Sequence, residues 1–165
     1  MCGKTHLAAG LCAGAAVSCV IGASPLDAAF ITGCSALGSL WPDIDHRTSM
    51  ISCKAKVLSR ICHFIFGERG LLHDPRFYLA LMVILSFFVE FRFYYPLFMG
   101  IGTHLLLDAP TPRSIPTCRK KKRLFVIRMG GAAEKSMQLG CFAATIVLSC
   151  MWADRILEEV LSTAP

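Results

Sequence analysis

The sequence predicts an all-α integral membrane protein of about five short transmembrane helices, with a polar site on its cytoplasmic face and a small basic, strand-like loop. Three observations lead there. The 165 residues are 55% hydrophobic, above the roughly 45–50% of ordinary soluble domains. The apolar residues fall into four stretches, 7–24, 26–41, 77–107 and 137–153. The lysines and arginines concentrate in two of the connections between those stretches. The length fits a single domain spanning 1–165.

The first stretch, Leu7–Ser24, approaches the ~20 apolar residues that cross about 30 Å of hydrocarbon. Lys4 is the only lysine or arginine ahead of it, and the apolar pattern resumes directly after Pro25, so it reads as a retained helix and not a cleaved signal. Leu26–Trp41 is shorter. Phe77–Leu107 is interrupted only by Glu90 and Arg92 and is long enough for two short helices. Met137–Ala153 supplies the fifth. Short spans imply tilt or local thinning of the bilayer.

Charge sets the orientation. Lys54, Lys56, Arg60, Arg69 and Arg76 lie between the second and third spans, and "RKKKR" (119–123) lies between the fourth and fifth. Cytoplasmic loops are enriched in Lys and Arg, so both connections, and with them the N-terminus, are expected on the cytoplasmic side of a bacterial inner membrane. Of the nine cysteines, Cys12, Cys19, Cys34, Cys141 and Cys150 sit inside apolar stretches and read as small hydrophobes. Cys53, Cys62 and Cys118 form no CxxC pair, which leaves a structural zinc knuckle unsupported.

On this map His6 precedes span one, and Asp43, Asp45 and His46 follow span two. His73 and Asp74 precede span three, and His104 and Asp108 close span four. All fall on one membrane face, although the charge rule used none of them. Acids and imidazoles at that depth are costly unless paired, hydrated or bound to a cation, and a metal accepts both ligand types.

"GTHLLLDAPTP" (102–112) is the most specific local signal. His104 and Asp108 are four apart and share a helix face. Pro110 and Pro112 end that helix, so the pair is expected in its last turns, near water. After Pro42 an extended or turn segment would point Asp43 and Asp45 to one side. His46 and His73 add imidazole nitrogen, and a mixed Asp/His shell favours zinc, with manganese or iron as alternatives, over magnesium or calcium. Such a divalent metal site lends itself to hydrolysis.

These motifs also resemble a known family, the YdjM-like, LexA-regulated, inner-membrane metal-dependent hydrolases. The resemblance rests on "THLAAG" (5–10), "LWPDIDH" (40–46), "RGLLHD" (69–74) and "GTHLLLDAPTP" (102–112) in that order, with "GGAAE" (130–134) similar to a later Gly-Ser-x-x-Glu element. It implies a small multi-span helical membrane protein with a metal-hydrolase site at His6, Asp43, Asp45, His46, His73, His104 and Asp108, and it adds Glu134. The family usually reads His-Arg-Gly-x-Thr-His-Ser where this chain has "ERGLLHD", so Glu68 stands for a histidine and Asp74 for a serine. The His-x-x-x-Asp pair is loosely similar to zinc-dependent phospholipase C.

In role, His104 and Asp108 lead as metal ligands, followed by Asp43, His46, His73 and His6. Asp45 and Asp74 would orient a ligand imidazole or act as base, and Glu134 is the further catalytic candidate. For the substrate, "TCRKKKRLFVIRMGG" (117–131) joins five basic residues to an alternating apolar run. Arg119, Lys120, Lys121, Lys122 and Arg123 suit anionic lipid headgroups. Arg47, Arg69 and Arg113 are candidates to hold a substrate phosphate. A lipid or lipid-linked phosphoester is therefore the expected substrate. Nothing in the sequence marks a specific nucleic-acid reader, and no Gly-x-Ser-x-Gly elbow supports a serine nucleophile. The rival expectation is a membrane adaptor or assembly subunit whose polar cluster is structural.

Overall fold

The computed structural model describes residues 1–46, 49–66, 71–109 and 130–163. Seven α-helices occur among them: α1 (Gly3–Val20), α2 (Pro25–Leu40), α3 (Met50–Lys54), α4 (Lys56–Phe66), α5 (Pro75–Ser86), α6 (Phe91–Asp108) and α7 (Ala132–Thr163). Two 3₁₀ turns, Trp41–Asp45 and Leu71–His73, join α2 to α3 and lead into α5. There is no strand among the described residues. The strand-like reading of 117–129 lies outside them, as do Arg47, Arg69, Arg113 and the basic run 119–123.

Local chemistry starts these helices where they begin. Ser24 caps α2, its Oγ accepting the amide of Asp27 at 3.3 Å, with Pro25 at the first helical position. Asp74 does the same for α5, accepting the amide of Arg76 at 2.9 Å ahead of Pro75. Phe77–Leu107 does divide in two, with Glu90 as the N-cap of α6.

Four helices, α1, α2, α6 and α7, pack side by side. α1 and α2 pack antiparallel, with Gly10 against Ser35 and Ser39, and Gly14 against Thr32. α6 lies parallel to α2, so that Phe30 meets Phe93 at one end and Ser39 meets His104 at the other. α7 lies parallel to α1: the Cys2 amide donates to Glu134 at its start, and Arg155 and Trp152 donate to the carbonyls of Cys19 and Ala23 further along. The start of α1, the ends of α2 and α6, the start of α7 and both 3₁₀ turns therefore gather at one end of the bundle.

Small residues line the helix contacts, beside an apolar cluster of Ile44, Leu72, Tyr78, Ile101 and Leu105, and large apolar side chains cover the outside. Between the helices lie Thr5, Ala8, Ala15, Ser18, Ser35, Ala36 and Ser39, all buried. Outside lie Leu26, Leu79, Val83, Phe87, Phe88, Leu139, Ile146 and Val147, all more than half exposed. Small residues let backbones approach where lipid removes the hydrophobic drive for helices to associate. At Gly38 an added Cβ would stand 2.1 Å from the Leu97 carbonyl oxygen, and at Gly100 it would stand 2.0 Å from that of Ser35. No larger residue fits at either crossing.

Among the described residues one helix segment, Ala132–Ser162, is long and apolar enough to cross a membrane by itself. α2 has 16 residues and α5 has 12. α1 includes Lys4 and His6 among its 18, and α6 includes Arg92, His104 and Asp108 among its own 18. α7 also runs beyond the expected Ala153 to Thr163, through Asp154, Arg155, Glu158 and Glu159.

Candidate metal centre

At the gathered end, side chains from four elements converge. α1 contributes His6, the 3₁₀ turn after α2 contributes Asp43 and Asp45, the turn before α5 contributes His73, and the last turns of α6 contribute His104 and Asp108. Each is at most 7% exposed.

The His104 and His6 rings stack with centroids 3.8 Å apart, and His73 meets His104 edge-on at 5.4 Å. His6 Nε2 lies 3.2 Å from Asp108 Oδ1. His104 Nε2 is 3.8 Å from both Asp108 Oδ2 and Asp43 Oδ1, and His73 Nε2 is 3.6 Å from that same Asp43 oxygen. Donors arranged tetrahedrally around zinc at about 2.0–2.2 Å stand roughly 3.3–3.6 Å from one another. The spacing matches what a cation would draw together. Two groups of three, His6–Asp43–His104 and His73–His104–Asp108, each have their ligand atoms within 4.8 Å of one another.

Protonation in this cluster follows from its hydrogen bonds. His104 Nδ1 lies 2.7 Å from the Ser39 carbonyl and must donate to it, which leaves the Nε2 lone pair facing the cluster. That Nε2, like both nitrogens of His73, is buried without a hydrogen-bond partner. An unsatisfied buried nitrogen is costly, and a metal ion satisfies it. The donor set thus fits a divalent cation.

In the two 3₁₀ turns, charge dominates over burial. Desolvation favours neutral Asp43, but the surrounding His73, His104 and His6 outweigh it and hold its carboxyl at about 2. Desolvation likewise opposes charge on His73, yet Asp43 and Asp45 raise it to about 9.

One expectation about local geometry is corrected. Asp43 and Asp45 do not share a side of an extended segment, because Trp41–Asp45 is a 3₁₀ turn. Asp43 faces His73 Nε2, while Asp45 Oδ2 stands 3.8 Å from His73 Nδ1. Asp45 backs the imidazole, and Asp43 shares the cluster with it.

Three candidates stand apart. His46 is half-buried at the end of the turn, donating its amide to the Asp43 carbonyl at 3.1 Å, and belongs to neither ligand group. Asp74 is the cap of α5. Glu134 is buried in a nest of donors, the amides of Cys2 and Gly130 and the hydroxyl of Thr5, and ties the start of α1 to the start of α7. Two supports carried no signal in the sequence. The Ser39 carbonyl is backbone, and His63 Nδ1 meets the Asp45 carbonyl at 3.0 Å from α4, an element that reads in sequence as a basic connection.

The chain is similar to known proteins over most of its length. Residues 1–156 match the family described as YdjM inner membrane protein. The "Uncharacterized protein YvsG" of Bacillus subtilis is 31% identical over 150 residues, covering 90% of this chain and 88% of its own length. The "Inner membrane protein YdjM" of Escherichia coli is 27% identical over 134 residues, 74% of this chain and 66% of its own length, and that of Shigella flexneri matches equally. No solved structure matches. With a family match over nearly its whole length and the ordered His and Asp motifs built into one buried cluster, the chain belongs to the YdjM inner membrane protein family.

Proposed function

We propose that this protein is a multi-pass inner-membrane hydrolase that uses one or two divalent cations, zinc foremost, to cleave a phosphoester of a lipid or lipid-linked substrate at the cytoplasmic interface. The observation that carries this reading is the convergence of three buried imidazoles on the carboxylates of Asp43 and Asp108, with His104 Nε2 buried and without a hydrogen-bond partner. In it α1, α2, α5, α6 and α7 cross or enter the bilayer, with the end that holds the cluster toward the cytoplasm.

A bound divalent cation supplies Lewis acidity toward a phosphoryl oxygen. The protein's own groups do the rest. Ser39 fixes the tautomer of His104, and Asp45 fixes His73, as carboxylates behind metal-binding imidazoles commonly do. Arg47, Arg69 and Arg113 are assigned to the substrate phosphate, and 119–123 to neighbouring headgroups. A structural alternative, a metal-stapled adaptor, draws on the near-complete burial of the cluster, in which Asp43 at 7% is the most exposed member.

The test is hydrolysis of a panel of phospholipid and isoprenoid phosphoesters by metal-loaded protein in vesicles. The hydrolase reading expects turnover that falls at least about 100-fold in His104→Ala and about 10–100-fold in Asp45→Asn. Metal-loaded, folded protein that cleaves nothing in the panel would favour the adaptor.

A further inference from the structure

α4 divides into three sectors at about 100° per residue. Ser59, Cys62 and His63 face inward: Ser59 and Cys62 are buried, and His63 holds the Asp45 carbonyl. Val57, Leu58, Ile61, Phe64 and Ile65 occupy a continuous arc of roughly 120° on the other side, exposed by 72, 43, 50, 90 and 63%. Lys56 and Arg60, also exposed, fill the boundary between the two. α4 rests on the bundle through the 3₁₀ turn Trp41–Asp45 and the neighbouring α3, at the end where the cluster sits.

Five large apolar side chains facing outward beside a basic edge form the pattern of a helix lying in a bilayer interface. Charge complementarity selects the occupant. A cationic edge against an apolar face matches anionic headgroups above acyl chains, and it matches neither bulk water nor the positive loops of a second copy.

We propose that α4 is an interfacial helix, immersing Val57, Leu58, Ile61, Phe64 and Ile65 in the acyl boundary of an anionic leaflet and setting Lys56 and Arg60 on headgroup phosphates. Its seat on the Asp45 turn through His63 places that lipid surface beside the metal cluster. The assignment concerns where α4 sits, so it holds or fails independently of hydrolysis.

The experiment uses the full chain in vesicles, with Phe64→Trp as reporter in a background carrying Trp41→Phe and Trp152→Phe, and Ile65→Trp as a second reporter should the first fail to fold. Folding is checked by size exclusion and helical circular dichroism. In vesicles of phosphatidylglycerol and phosphatidylcholine, the expected result is emission quenched at least twofold by brominated acyl chains and shielded from aqueous acrylamide. Lys56→Glu with Arg60→Glu is expected to cut that lipid quenching by half or more, and Lys56→Trp in the same tryptophan-free background should report the reverse exposure. Quenching by acrylamide with none from brominated lipid would overturn the proposal, because the face then meets water. Shielding from both quenchers would overturn it in favour of a protein partner. Equal insertion in pure phosphatidylcholine, unaffected by the charge reversal, would overturn the anionic requirement.

Discussion

At the residue scale, the cluster has a proton ledger with a definite sign. His73 is raised to about 9 from an ordinary 6.5, so in the metal-free protein its pairing with Asp43 and Asp45 stabilises the fold fully below pH 6.5 and is lost as pH rises through 9. Asp43, lowered from 3.8 to about 2, contributes above pH 3.8 and loses its contribution as pH falls toward 2. A metal needs neutral imidazole and competes with the His73 proton. Metal affinity is therefore expected to climb about tenfold per pH unit from pH 6.5 toward 9 if a single proton is displaced, read as a metal-induced rise in thermal midpoint across that range. Asp45→Asn removes one carboxylate behind His73 and should move the climb to lower pH, while affinity at pH 9 falls. A pH-independent affinity would mean that His73 is not a ligand. The His104–Asp108 pair was legible in sequence because four residues make one helical turn. The stacking of His6 on His104 was not, because it depends on where α1 meets α6 in space.

At the scale of elements, glycine decides how closely helices approach. Gly38→Ala and Gly100→Ala each drive a methyl group into a backbone carbonyl that no rotamer change can move. Overpacking of this kind typically costs about 1–3 kcal/mol, and the displaced α2–α6 crossing would also carry Ser39 away from His104. Thermal denaturation in detergent should show both variants less stable than wild type, with Gly102→Ala, where the added Cβ meets nothing within 4 Å, as the neutral control. The split of 77–107 into two helices could be read from Glu90 and Arg92, since charge marks a turn between apolar runs. The length of α7 could not: Asp154, Arg155, Glu158 and Glu159 look like an end, but arginine and glutamate have good helical propensity and extend a helix when no glycine or proline intervenes. α3 and α4 went unseen because basic residues that mark a cytoplasmic connection can equally edge an amphipathic helix.

At the scale of the whole molecule, an apolar exterior and helix contacts lined by serine, threonine, alanine and glycine suit lipid, with buried histidines and acids at one end. That they share one end was readable from the positions of the motifs at the ends of the apolar stretches, whereas the division of labour within it, with Glu134 as a tether, Asp74 as a cap and Asp45 behind His73, needed coordinates. The central claim is that this end holds a metal. The most direct measurement is elemental analysis of detergent-purified wild type beside His104→Ala and Asp108→Ala, each confirmed as folded by size exclusion and helical circular dichroism. The account predicts stoichiometric zinc, manganese or iron in wild type and its loss from both folded variants. Wild type without metal, even after reconstitution with each ion, would contradict it.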